Sequence, residues 1–218
     1  MKFKNKSVQI SCDGGAATGK STGAKMIAKK YKLKFLSSGL LYRYASFLIL
    51  KYKPKNMIGF LRKKFLKLNY KELKKISLHT QKISEHSSVI ARNNKVRNIL
   101  KKFQLDFSKK NKNCCIEGRD ISTKILPNSD VKFYFTCNLS IAARRRYKEL
   151  KKLDPSIKLN NVKKALRIRN LSDIKRKHSP LLKHRNSVSI DTGKLNKQAM
   201  LKKMTKYVEE FLLKNNGN

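Results

Sequence analysis

Short apolar stretches alternate along the chain with longer segments in which apolar residues recur at helical spacing. The short stretches are about five residues long and apolar on both faces, as the buried strands of parallel sheets are. The predicted strands are Val8–Cys12, Leu33–Leu36, Cys114–Glu117, Val131–Thr136 and Ser187–Asp191. The predicted helices are Lys20–Tyr31, Gly39–Lys51, Asn56–Leu68, Tyr70–Ser84, Ser88–Phe107, Ser140–Lys152, Leu159–Lys177 and Lys197–Lys214. This alternation predicts an α/β fold, with helices on both faces of a parallel sheet.

A glycine-rich segment joins the first predicted strand to the first predicted helix. Residues 14–22 read GGAATGKST, so that four residues separate Gly14 from Gly19-Lys20-Ser21. Between a buried strand and a helix, such a loop can wrap a polyphosphate with its backbone N–H groups. Lys20 can then reach the outer phosphates, and the Ser21 hydroxyl can ligate Mg²⁺. The flanking strand and helix favour this interpretation over a chance match in a coil.

The chain is strongly basic, with 54 Lys and Arg against 13 Asp and Glu and a net charge of +41. Such a charge attracts polyanions such as nucleotides, RNA or an acidic membrane surface. The lysines, however, are spread over the whole chain together with many asparagines and isoleucines, as compositional drift would produce. We favour drift for the lysines, and expect weak, salt-sensitive RNA binding but no specific nucleic-acid partner.

Length and composition predict one soluble domain over residues 1–218. The four cysteines form no CxxC pair and lie in or beside predicted buried strands, so we expect core residues in a reducing compartment. The apolar stretch near the N-terminus is too short for a signal peptide, and no run approaches the roughly 18 apolar residues of a membrane span. These features predict a cytoplasmic protein that does not bind membranes.

Charged residues follow two of the predicted strands, at the edge where open α/β sheets bind ligands. Glu117, Arg119 and Asp120 cluster at the end of the third strand, which suits ligand binding better than packing. After the second strand, a helix starts near Ser38, and Arg43 lies about one turn into it. That second pattern is equally typical of a helix cap followed by a surface arginine.

Two helical stretches lie outside the strand–helix alternation, at residues 51–107 and 144–184, and both could cover this edge of the sheet. In the second stretch, the successive arginines 144–146 spread over about 200° of a helix, so that only one or two can face a cleft. Arg169, Asp173 and Arg176 fall on one helical stripe. An intrahelical ion-pair stripe is the alternative interpretation for these three residues.

Taken in order, these segments resemble bacterial cytidylate kinases, a family of nucleoside monophosphate kinases. The family pattern runs GPAGSGKS, DTGAMYR, PxVRxxLxxxQR, EGRDIGT, PDAxxKxFLTAS, RARRRYxQL, RDxxDxxRxxxPL and a late IDT. The corresponding segments here read GGAATGKS, SSGLLYR, NKVRNILKKFQL, EGRDIST, PNSDVKFYFTCN, AARRRYKEL, RNLSDIKRKHSPL and IDT. The order is collinear over nearly the whole chain, which makes the set far more specific than any single motif.

The resemblance implies a P-loop kinase fold, with five parallel strands in the order 2-3-1-4-5. It also implies a segment that binds the nucleoside monophosphate, at residues 38–107, and a mobile lid at residues 144–184. The implied reaction is transfer of the γ-phosphoryl group of ATP, with Mg²⁺, to CMP or dCMP by a monomer. The alternatives are another P-loop kinase of small molecules, or a basic RNA-binding protein with a silent P-loop.

The resemblance also assigns roles by position. The residues implied to bind the ATP phosphates are Gly14, Gly15, Ala16, Ala17, Thr18, Gly19, Lys20, Ser21 and Thr22, with Ser21 as the metal ligand. The residues implied to bind substrate are Ser38, Arg43, Ser88, Arg97, Arg119, Asp120, Arg169, Asp173 and Arg176. Within that set, Arg43, Arg119 and Arg176 would hold the CMP phosphate, Ser88, Arg97 and Asp120 would read cytosine, and Arg169 and Asp173 would touch the sugar. The residues implied to be catalytic are Lys20, Arg119, Arg144 and Arg145.

Some positions depart from the family pattern. Ser37 stands where the pattern has Asp, Gly15 where it has Pro, and Ala17 where it has an inner Gly. Asn94 replaces a Pro, and Ala142 replaces the first arginine of the lid motif. The residues implied to contact the phosphates or cytosine are all retained, which favours an active enzyme.

Overall fold

Five parallel strands form one sheet at the centre of the structure, a computed structural model that describes residues 7–214 apart from the side chain of Lys74. The strands are β1 (Gln9–Gly14), β2 (Lys34–Ser37), β3 (Cys114–Gly118), β4 (Val131–Thr136) and β5 (Val188–Asp191). Their order across the sheet is β2-β3-β1-β4-β5, and every neighbouring pair is parallel. The predicted α/β fold and strand order are confirmed.

Helices cover both faces of the sheet. They are α1 (Lys20–Lys30), α2 (Ser38–Tyr52), α3 (Met57–Leu66), α4 (Gln81–Ile90), α5 (Asn94–Lys110), α6 (Leu139–Lys151), α7 (Leu159–Lys175) and α8 (Lys197–Lys214). Because successive strand residues point to opposite faces, Cys115 packs towards α1 and α8, whereas Cys114 and Ile116 pack towards α2, α3 and α5. A third apolar cluster joins α6 and α7 to Ala16 of the glycine-rich loop.

Two predicted helix boundaries were wrong. The helix expected at Tyr70–Ser84 is a short 3₁₀ segment, Tyr70–Lys75, followed by a loop. The helix expected at Ser88–Phe107 is divided by a turn at residues 91–93. At each break a polar side chain caps the next helix: Thr80 Oγ1 accepts from Ile83 N–H, and Asn93 Oδ1 accepts from two N–H groups of α5. Helices α4 and α5 pack apolar residues into the same cluster, so the helical spacing of apolar residues in the sequence continues across the caps.

The cysteines are free thiols, three of them buried in the sheet and Cys137 partly exposed. The sulfur atoms of Cys12 and Cys115, on neighbouring strands, are 3.9 Å apart. Within residues 7–214, no helix has the length and apolar character needed to cross a bilayer.

Candidate active site

A cavity of about 800 Å³ opens at the carboxyl edge of the sheet, above β1 and β3. It is enclosed by the glycine-rich loop, the start of α2, the end of α4, the segment after β3, and helices α5, α6 and α7. The predicted site residues that line it are Ala16, Ala17, Thr18, Gly19, Lys20, Ser21, Thr22, Ser38, Arg43, Ser88, Arg97, Arg119, Asp120, Arg145, Arg169, Asp173 and Arg176. Gly14, Gly15 and Arg144 do not line it. One cavity therefore collects side chains that are far apart in sequence.

The glycine-rich loop turns sharply between β1 and α1. A Cβ at Gly14 would lie 2.5 Å from the carbonyl oxygen of Phe135, and Gly19 caps α1 in the left-handed conformation, with φ of 79°. Ala17 also has a left-handed φ, 56°, at the position where the family pattern has glycine. The loop thus keeps the curvature that exposes backbone N–H groups, at the conformational cost of a Cβ in the left-handed region.

Lys20 lies at the base of the cavity, where its Nζ is 3.4 Å from Glu117 Oε2 at the end of β3. Burial, followed by repulsion from Arg119, lowers the pKa of Lys20 to about 8, although the negative charge of Glu117 acts in the opposite direction. An anion bound above the loop would favour the charged ammonium. The lysine is therefore set to bind a polyphosphate.

Glu117 keeps its negative charge although it is buried. Burial opposes ionisation, but Lys20 and a hydrogen bond from the Ser37 hydroxyl hold the pKa of Glu117 below its usual value, and the Ser21 hydroxyl acts in the same direction. Glu117 Oε2 accepts no hydrogen bond from the described residues. A buried carboxylate oxygen with spare capacity beside a hydroxyl fits Mg²⁺ and its bound water. Ser37 also caps α2, by accepting from Leu40 N–H at 3.2 Å.

Arginines from three elements converge above Lys20 without an anionic partner for each of them. Burial lowers the pKa of Arg43 to about 10, with repulsion from Arg146 as the next cause. Burial, together with repulsion from Arg119 and Arg43, lowers the pKa of Arg169 to about 9. The Nε atoms of Arg43 and Arg169 are buried and donate no hydrogen bond to the described residues. Such a cluster is typical of a site for phosphate groups.

Two carboxylates organise the remaining arginines. Asp120 accepts from Arg97 at 2.5 Å, and its other oxygen is 3.8 Å from Arg176. Asp173 on α7 pairs with Arg119 at 2.7 Å and with Arg176 at 3.2 Å. Arg119 also donates to the Gly14 carbonyl oxygen at 2.5 Å. Asp173 and Arg176, which were predicted to lie on one stripe of a helix, therefore pair with distant residues as well as with each other. Through Arg119, Asp173 is also linked to the glycine-rich loop.

Helix α6 turns two of its three successive arginines to the cavity. Arg145 donates to the side chain of Thr192 at 2.8 Å and to its carbonyl oxygen at 2.7 Å. Arg146 reaches across to α4, where it donates to Ser84 Oγ at 3.2 Å. Arg144 is exposed and does not line the cavity, so its catalytic role stays a prediction. Ala142, which replaces the first lid arginine, is buried among apolar residues.

Sequence reasoning missed Thr192 and Asn170, which brace the loop. The Thr192 hydroxyl donates to the Thr18 carbonyl oxygen at 2.8 Å, and Asn170 Oδ1 accepts from Ala16 N–H at 2.9 Å. Thr192 belongs to the late IDT segment, which was recognised as a motif without a role. The position of Asn170 beside Arg169 gave no signal, because its partner is 154 residues away.

Comparisons with known proteins identify the family of this chain. Residues 10–210 match the family model described as Cytidylate kinase. The cytidylate kinase of Bartonella tribocorum is 34% identical over 195 residues, covering 87% of this chain and 89% of the relative. That of Rickettsia canadensis is 34% identical over 204 residues, covering 92% and 91%. That of Clostridium tetani is 30% identical over 222 residues, covering 96% and 97%.

Solved structures with the same fold are more distant in sequence. An uncharacterized protein from Eubacterium ventriosum has a TM-score of 0.55 at 13% identity, covering 94% of this chain and 99% of that one. A shikimate kinase from Bacteroides thetaiotaomicron has a TM-score of 0.52 at 11% identity, covering 95% and 99%. At such identities the likeness shows the fold alone.

Proposed function

The chain belongs to the cytidylate kinase family, and we propose that it transfers the γ-phosphoryl group of ATP to CMP and dCMP, giving the diphosphate and ADP. The observation that carries this proposal is the cluster of partly buried, mutually repelling arginines above the loop lysine. Arg43, Arg119 and Arg169 raise the free energy of the empty site, and two bound nucleotides would supply the missing negative charge.

The donor half of the site is the glycine-rich loop with its supports. Its backbone N–H groups and Lys20 would hold the ATP phosphates, while Thr192 and Asn170 hold the loop in shape. Ser21 and Glu117 are the residues that would hold Mg²⁺. When bound, Mg²⁺ supplies positive charge to the outer phosphates.

The acceptor half lies between α2, α5 and α7. Arg43, Arg119 and Arg176 would bind the CMP phosphate, and Arg169 and Asp173 the sugar. Asp120 would accept from the N4 amino group of cytosine, where uracil presents an acceptor. Ser88, whose hydroxyl bonds to the Ser84 carbonyl oxygen at 3.3 Å, and Arg97 would complete the contacts to the base.

Transfer needs positioning and charge stabilisation more than a strong base. A phosphate oxygen of CMP attacks the γ-phosphorus of ATP as the bond from that phosphorus to the β-phosphate oxygen breaks. Lys20, Arg119 and Arg145 would stabilise the charge spread over the transferred group. Lid closure over residues 144–184 would exclude water that otherwise hydrolyses ATP. That the protein is a monomer and that it acts in the cytoplasm remain predictions.

A substrate panel tests the proposed reaction directly. ADP release, coupled to a second enzyme, is measured with CMP, dCMP, UMP, AMP and shikimate as acceptors, with and without Mg²⁺. We expect CMP and dCMP to be used at least tenfold better than the others, since uracil turns an acceptor to the Asp120 oxygen that would accept from N4 of cytosine, and the lost hydrogen bond costs about 1–3 kcal/mol. Equal or better turnover of UMP or AMP contradicts the cytosine assignment, and turnover of shikimate alone contradicts the nucleotide acceptor.

The pKa of Lys20 predicts how activity depends on pH. In the free enzyme that pKa is about 8, so kcat/KM for ATP should fall about tenfold per pH unit above pH 8 as the ammonium loses its proton. Bound ATP favours the charged form, so kcat at saturating ATP should decline only at higher pH. Initial rates measured across this range separate the two profiles. A kcat/KM for ATP that stays constant through pH 9.5, about 1.5 units above that pKa, contradicts the assignment.

A further inference from the structure

Asp13 is a fully buried carboxylate at the end of β1, next to the glycine-rich loop. Its three hydrogen bonds all come from two residues more than a hundred positions away. Oδ1 accepts from Ile121 N–H at 2.8 Å, and Oδ2 accepts from Ser122 N–H at 2.7 Å and from the Ser122 hydroxyl at 2.6 Å. Asp13 therefore ties the strand before the loop to the segment after β3.

That segment carries the base-reading carboxylate. Ile121 and Ser122 begin a π-helical turn, Ile121–Ile125, that directly follows Asp120. The Asp120 carbonyl oxygen accepts from Lys124 and Ile125 N–H inside this turn, so the backbone of Asp120 is held by the turn that Asp13 anchors. The first N–H groups of a helical turn have no partner within it, and the Asp13 carboxylate satisfies two of them.

From these contacts we infer that Asp13 is a positioning residue, which sets Asp120 at the distance from the phosphate loop that cytosine recognition requires. The inference rests on the proposed function. The Asp13 carboxylate forms no hydrogen bond with the side chains of Arg119 and Asp120, the two residues of that segment proposed to bind nucleotide. Arg119 is held instead by the Gly14 carbonyl oxygen and Asp173, and Asp120 by Arg97. Its action on the acceptor therefore runs through the backbone of residues 120–122.

The energetics agree with a positioning role. Burial raises the pKa of Asp13 to about 6 although three hydrogen bonds favour the charged form, and the nearby Asp120 charge raises it too. A buried carboxylate with a raised pKa is a poor source of stability. What this carboxylate provides is geometry, because its two oxygens accept from both adjacent N–H groups at once. An amide at this position can accept on one side only.

The test compares Asp13→Asn with a control, Asp130→Asn, at a carboxylate that contacts the first residue of the same strand. Asp130→Asn also turns a carboxylate that accepts a backbone N–H, that of Gln9 at 2.7 Å, into an amide. For Asp13→Asn we expect KM for CMP to rise about tenfold and the preference for CMP over UMP to fall about as much, with KM for ATP within about twofold. Asp130→Asn should leave all three values unchanged. The melting temperature, measured in parallel, should fall more for Asp13→Asn than for the control, because the amide leaves a buried N–H group without an acceptor. An unchanged KM for ATP then shows that the phosphate loop keeps its shape.

If Asp13→Asn fails to fold, two milder substitutions in the turn that Asp13 anchors test the same inference. Ser122→Ala removes one of the three hydrogen bonds and should raise KM for CMP about threefold. Thr123→Val removes a buried hydroxyl of the same turn that donates to none of the described residues, and should leave KM for CMP unchanged.

A double variant separates positioning through Asp120 from a general loss of structure. In an Asp120→Asn background, Asp13→Asn should not change the ratio of CMP to UMP turnover further, since both changes act on one recognition step. Additive losses in the double variant, or a KM for CMP and a CMP/UMP ratio within twofold of wild type in Asp13→Asn and Ser122→Ala, overturn the inference. Absence of CMP turnover by the wild-type chain is a different result, which overturns the proposed function itself.

Discussion

Replacing Lys20 with methionine should lower kcat by about 10²–10³-fold, because it removes the preorganised positive charge that we propose to act on the transferred phosphoryl group. The side chain is nearly fully buried, and its ammonium lies 3.4 Å from Glu117. Burial lowers the pKa of Lys20, so the fold itself gains little from the charge, and we expect the melting temperature to change far less than the rate.

Lys29→Met is the matched control for this substitution. Lys29 is exposed in the last turn of the same helix, and its replacement removes an equal charge from a protein of net charge +41. Its kcat should stay within about twofold of wild type. A Lys20→Met variant that keeps more than a tenth of wild-type kcat contradicts a catalytic role for this lysine.

Replacing Asp120 with asparagine should narrow the preference for CMP over UMP by about 10–100-fold. The carboxylate accepts from Arg97 at 2.5 Å in a buried site. An amide has one accepting oxygen, so it cannot accept from both Arg97 and the N4 amino group of cytosine as the carboxylate would. Opposite uracil, the NH₂ group of the amide can donate to the acceptor that uracil presents in place of N4. We therefore expect kcat/KM for CMP to fall, and kcat/KM for UMP to fall less or to rise.

The measurement is kcat/KM for both acceptors at saturating ATP, with Asp106→Asn as control. Asp106 is an exposed acid on α5, the helix that carries Arg97, so its loss changes the same net charge without touching the cavity. An Asp120→Asn variant that loses activity equally towards both acceptors contradicts base reading, and indicates that the Arg97–Asp120 pair serves stability instead.

Local features of this protein were predictable from the sequence. The three central strands, β1, β3 and β4, are short and largely buried on both faces, so their apolar composition reveals them. The strand, loop and helix around Lys20 are contiguous in the chain. The collinear motifs predicted the strand order and the family, which the sheet and the comparisons confirm. The boundaries between 70 and 94 were less accessible, because polar caps at Thr80 and Asn93 interrupt a periodicity that continues across them.

Which side chain faces which partner could not be read from the sequence. Three successive arginines on α6 look alike in the chain, yet the packing of Ala142 and Ala143 against Ala16 sends Arg145 and Arg146 to the cavity and leaves Arg144 exposed.

The fold class, the phosphate loop and the set of charged residues can be read from the order of amino acids, because each follows from residues that are near one another or from motifs in a set order. The pairing of those charges, and the contacts that hold the two halves of the site together, depend on how the chain folds. Asp13 with Ile121 and Ser122, Thr192 with Thr18, and Asn170 with Ala16 join positions more than a hundred residues apart. Only the folding of the sheet, which brings the ends of distant strands to one edge, creates these contacts.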